Sequence, residues 1–69
     1  MNVNEAAIPV RRTRRSTSVE LWHVGGMDGW LFPTKIVAEE AARLRFPHES
    51  PDARYARIGY ATYVLDPDA

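Results

Sequence analysis

Three glycines and an Asp-Gly pair fall within five positions, Gly25 to Gly29, between two short apolar runs. Glycine enters the left-handed backbone region without a Cβ clash, and Asp-Gly suits the tight turns that reverse a strand. The preceding segment, Thr17 to Val24, is rich in β-branched and aromatic residues, and Trp30-Leu31-Phe32 follows the turn. Such residues fit a pleated, half-buried surface. The pattern predicts a β-hairpin. Val19, Leu21 and His23 alternate with Glu20, Trp22 and Val24, so neither face of the first strand is cleanly polar and both need cover. A hairpin alone is marginal in water, and the rest of the chain must supply that cover.

The residues after the hairpin supply a helix. Thr34 is a good N-cap, and Lys35 to Arg45 has helical periodicity. Val37, Ala41 and Leu44 share one side with Ala38 and Ala42 beside them, while Glu39, Glu40 and Arg43 fall opposite. Glu39 precedes Arg43 by four, the favourable order for a helix ion pair. The alanines let this helix lie close to a sheet. Pro47 stops it, and Phe46 is expected to fold back onto the core. Ser50-Pro51-Asp52 combines a cap, a first-turn proline and an acid near the positive end of the helix dipole, which predicts a short helix near 51–57. The competing reading starts a long strand at Tyr55 with a bulge at Gly59. Tyr60 to Leu65 reads as a strand in either case, before a polar tail, Asp66 to Ala69. The expected fold class is α+β, in the order β-β-α-β, with a three-stranded mainly antiparallel sheet and one main helix packed on it.

The first fifteen residues are different in kind. They lack a sustained period and carry Arg11, Arg12, Arg14 and Arg15 against Glu5, a net charge of +3. Residues 16–69 hold five cations against eight carboxylates, a net of −3. The division expected from this is a flexible basic N-terminal arm, 1–15, and a single α+β domain, 16–69. With 69 residues the core is small, and with no cysteine no disulfide supports it. A homodimer is therefore a candidate, with the first strand and Tyr60 to Leu65 as the exposed sheet edges. The absence of cysteine also fits a reducing cytoplasm. No apolar run approaches the roughly 18 residues that span a bilayer.

Arg11, Arg12, Arg14 and Arg15 are the candidate nucleic-acid contacts, because guanidinium forks match phosphate and a short basic run tracks a backbone. Arg54 and Arg57 form a second basic group. The aromatics Trp22, Trp30, Phe32, Tyr55, Tyr60 and Tyr63 concentrate on or near the strands. Most are expected under the helix, with Trp22 the one most exposed. Trp22, Trp30, Glu39 and Glu40 are the candidates for a protein interface. His23 and His48 have no ligand-like spacing, so no metal or cofactor is expected. The glycine turn lacks the Gly-Lys-Ser/Thr that opens a phosphate-binding helix. These readings exclude the familiar catalytic motifs and point to a non-enzymatic binding or regulatory protein.

One segment carries a resemblance. Phe32-Pro33-Thr34-Lys35, through Ala38-Glu39-Glu40-Ala41-Ala42 to Phe46-Pro47, is similar to small accessory proteins carried by plasmids and phages. The compact sheet-plus-helix plan also resembles some anti-CRISPR proteins. The resemblance implies a binder or inhibitor of mobile-element origin, with a protein target as the alternative to nucleic acid.

Overall fold

Trp22 and Phe32 exchange both backbone hydrogen bonds, at 2.8 and 2.7 Å, across the glycine turn. The computed structural model describes residues 6–65. Residues 1–5 of the expected arm and the expected tail, 66–69, lie outside the described residues. The strands are β1 (Ile8–Pro9), β2 (Thr13–Val24), β3 (Trp30–Leu31) and β4 (Ile58–Leu65). A 3-10 turn, Val10–Arg12, links β1 to β2, and the helices are α1 (Lys35–Arg45) and α2 (Pro51–Ala56). β2 pairs antiparallel with β4, β1 pairs antiparallel with β3, and the Trp22–Phe32 bridge joins the two ribbons. β2 therefore lies at the centre of a three-stranded antiparallel arrangement, between β4 and the bridged residue Phe32 that follows β3, while β1 and β3 form a second, small sheet.

That centre corrects the expected strand order. β2, at 12 residues, is long enough to take the hairpin return on one edge and β4 on the other. The edge exposed on the sheet is therefore not the first strand. β2 and β4 run in register from Val24–Ile58 to Val19–Tyr63, and again from Arg15–Tyr63 to Thr13–Leu65. Arg15 and Val19 both align with Tyr63, so residues 16–18 form a bulge. The expected boundary after residue 15 falls inside β2. Ile8–Pro9 and Thr13–Arg15 are paired in the sheets and Val10–Arg12 is the 3-10 turn between them, an arrangement that satisfies backbone groups a free arm would leave to water.

Both helices begin as the sequence predicts. Thr34 Oγ1 accepts from the Val37 amide at 3.2 Å, and Ser50 Oγ accepts from the Ala53 amide at 3.2 Å. Helix α1 buries Val37, Ala38, Ala41 and Ala42 against Val24 and Phe32, and Trp22, Met27, Phe46 and Ile58 pack around them. Three alanines in that face bring the helix backbone close to the sheet. Leu44, expected on this face, is 59% exposed. It sits at the margin of the arc that Val37 to Ala42 define, beyond the reach of the narrow sheet. The expected Glu39–Arg43 pair is also replaced, since Arg43 bonds Glu40 instead. Of the aromatics, Phe32 alone is fully buried. Trp22 is half-buried against Tyr60, with ring centroids 5.1 Å apart, while Trp30, Tyr55 and Tyr60 are exposed. A sheet this narrow covers one aromatic and leaves the others at its rim.

Candidate nucleic-acid interface

The four arginines stand on backbone that four separate contacts hold. Pro9 aligns with Trp30 and Ile8 with Leu31. Proline at this position keeps an extended conformation, φ −60° and ψ 129°, and lacks only a donor that an edge strand can spare. The Val10 amide donates to the Gly29 carbonyl at 3.0 Å. The 3-10 turn closes on Thr13, whose amide and hydroxyl both donate to the Val10 carbonyl, the hydroxyl at 2.8 Å. Thr13, Arg14 and Arg15 then align with Leu65, Val64 and Tyr63.

Arg11, Arg12, Arg14 and Arg15 are all exposed. Among the described residues, the ion pairs are Arg43–Glu40 and Arg57–Glu49, so none of the four has a carboxylate partner. The Arg15 guanidinium lies 5.3 Å from the centre of the Tyr63 ring, a cation–π contact. The arrangement is a row along the chain, with Arg14 and Arg15 on opposite faces of β2, of guanidinium groups that no carboxylate among the described residues neutralises. It attracts anions, and bidentate forks favour phosphate over a point anion.

Arg54 and Arg57 do not join this row. Arg57 donates to both Glu49 carboxylate oxygens, at 2.7 and 2.6 Å, and to the Gly25 carbonyl at 2.9 Å. Its guanidinium also stacks 3.9 Å from the centre of the Phe46 ring. The hydrogen bonds from Arg57 hold the Glu49 carboxyl below the usual carboxylate range, and the same bonds raise Arg57 further. Arg54 donates to the Glu49 and Phe46 carbonyls, at 2.6 and 3.4 Å. Both are half-buried and tie the loop between the helices to the hairpin turn. The sequence reading placed them with the phosphate contacts because their spacing shows charge and not the partners the fold brings to them.

The candidate protein-interface residues are not gathered into one patch. Trp30, 44% exposed, lines a shallow groove with Pro9, Val10, Arg11, Asp28 and Gly29. Trp22 lines a different groove with Lys35, Tyr55, Ile58, Gly59 and Tyr60. Glu39 is half-buried beside Arg43, Arg54 and Tyr55, and Glu40 is engaged by Arg43. His23 packs over Gly59, where an added Cβ would stand 2.6 Å from its ring, and His48 is exposed in the loop after α1. Among the described residues, no group of three His, Cys, Asp or Glu side chains is placed to hold a metal ion. Sequence reasoning missed Asp28 and Tyr63 as neighbours of the arginine row. Both reach it through strand pairing across long stretches of chain, for which no local signal exists.

No protein-family model, curated protein or solved structure matches this chain.

Proposed function

We propose that this chain is a small non-enzymatic accessory protein that contacts nucleic acid, or a nucleoprotein, through Arg11, Arg12, Arg14 and Arg15. The observation that carries the reading is the exposure of four guanidinium groups within five positions, two on the 3-10 turn and two on paired β2 backbone, without carboxylate partners among the described residues. Phosphate contacts of this kind position a ligand without reading its sequence. Holding the segment in a turn and a strand also reduces the backbone entropy lost on binding, roughly 1–2 kcal/mol for each residue that need not be ordered. The body's net negative charge confines attraction to this row. Among the described residues no helix is long and apolar enough to cross a membrane, and a cysteine-free chain suits the reducing cytoplasm where nucleic acid is found.

The expected affinity is modest, tolerant of sequence and sensitive to salt. Up to four phosphate contacts give a slope of log K against log salt no steeper than about −4 on a duplex. Fluorescence anisotropy with labelled single- and double-stranded oligonucleotides across a salt series measures it. Replacing all four arginines by alanine should abolish the binding and its salt dependence. Absence of binding at low salt, or unchanged binding by the fourfold variant, removes the reading.

A second reading, a protein-directed inhibitor, is favoured by the other groove. Tyr55 and Tyr60 are 56% and 59% exposed there, beside Trp22. Exposed aromatics clustered around a shallow hollow are common anchors of protein interfaces. A partner captured from the source cell by the wild-type chain and lost on alanine replacement of both tyrosines would support this reading. Capture that ignores the double replacement would count against it.

A further inference from the structure

Trp30 is an exposed aromatic that shares a groove with Arg11, and its backbone is constrained on both sides. Its amide donates to the Met27 carbonyl at 3.2 Å, it aligns with Pro9, and the next residue, Leu31, is fully buried. The indole therefore cannot retreat into the core, and it forms one wall of the groove that Arg11 and Asp28 also line. An indole face beside a guanidinium suits a flat, electron-rich ring. Asp28 adds a constraint. A carboxylate in the groove repels phosphate, yet it accepts hydrogen bonds from the exocyclic amino groups of cytosine, adenine and guanine. The charges are thus sorted by position: phosphate is favoured along Arg12, Arg14 and Arg15, and disfavoured between Asp28 and Trp30.

We infer that the groove formed by Arg11, Asp28 and Trp30 is a base-binding site, and that the ligand is single-stranded nucleic acid whose unpaired base stacks on Trp30 while neighbouring phosphates follow the arginine row. This rests on the nucleic-acid reading above. A duplex hides its base faces and presents only edges and phosphates, so it can use the arginines but not the indole. Stacking of this type is tolerant of sequence because every base has a π-face. The carboxylate superimposes a preference for bases that carry an amino group.

The test is anisotropy with a labelled oligo-dC, an oligo-dT and a duplex of equal length, using the full chain. Trp30→Ala should weaken oligo-dC binding roughly 5- to 100-fold and leave duplex binding unchanged, while Trp30→Phe retains most of the affinity. Asp28→Ala should narrow the difference between dC and dT. Unchanged oligo-dC binding by Trp30→Ala, with binding still lost on replacing the arginines, overturns the base site and leaves the arginine reading standing. A duplex bound more tightly than either single strand does the same. Absence of binding to all three ligands removes both. If Trp30→Ala does not fold, the Trp22→Phe protein reports through Trp30 emission. Quenching by oligo-dC supports stacking, and unchanged emission at saturation overturns it.

Discussion

Replacing Gly26 by alanine is expected to destabilise the protein by two separable effects that meet at one atom. Gly26 has φ +94°, in a region that side-chain-bearing residues rarely adopt, and it is alone among the described glycines in this. A Cβ there would also stand 2.7 Å from Phe46 Cζ and 3.2 Å from Arg57 Nη1. The backbone effect costs about 1–2 kcal/mol, and displacing a packed ring costs about 1–3 kcal/mol. Together they remove roughly 2–5 kcal/mol, against a total stability of roughly 3–10 kcal/mol for a domain of this length. At about 4–8 °C per kcal/mol, Tm should fall by at least about 8 °C. Gly29 is the internal control, since nothing lies within 4 Å of its added Cβ and its φ is not positive. Gly29→Ala should change stability little, or raise it by about 0.4–1 kcal/mol by restricting the unfolded chain. Thermal and urea unfolding of both variants decides the matter. A double-mutant cycle with Phe46→Ala should show that removing the ring recovers the steric part and leaves the φ cost. A Gly26→Ala protein that melts with the wild type, or a Gly29→Ala protein that falls as far, would refute this account of the turn.

Two further outcomes follow from the same contacts. Deleting residues 1–12 removes β1, with Ile8 opposite Leu31 and the Val10–Gly29 hydrogen bond. It should cost about 1–2 kcal/mol through lost apolar cover, and a melting curve that does not move would show that β1 contributes nothing to the fold. Glu49, whose folded pKa is lowered by hydrogen bonds from Arg57, contributes stability that is fully present above its unfolded pKa of about 4.3. That contribution is lost as pH falls through the lower folded value. Wild-type Tm should therefore drop more steeply than that of Glu49→Gln below about pH 4.3, although the variant starts lower at neutral pH. The exposed Glu40–Arg43 pair has the same sign and remains in both proteins. Parallel acid limbs would show that the Glu49–Arg57 contact is not formed in solution.

Features that depend on neighbours a few residues apart are legible along the chain. Thr34 and Pro47 bracket α1, Ser50 and Pro51 start α2, and Gly25 to Gly29 reverse the chain, because caps, proline and glycine act on their own backbone. The positions of the arginines were equally plain. Their roles were not. Arg57 reads as a free cation until the fold sets it against Glu49, Phe46 and, 32 residues away, Gly25. Arg11 reads as part of an arm until Pro9 aligns with Trp30. Leu44 reads as core until the width of the sheet leaves it in water. Strand order, the bulge at 16–18 and the meeting of Arg11, Asp28 and Trp30 emerge only once the chain is folded. Strand pairing is made through backbone groups nearly identical at every residue, so local sequence carries little information about which strand will lie beside which.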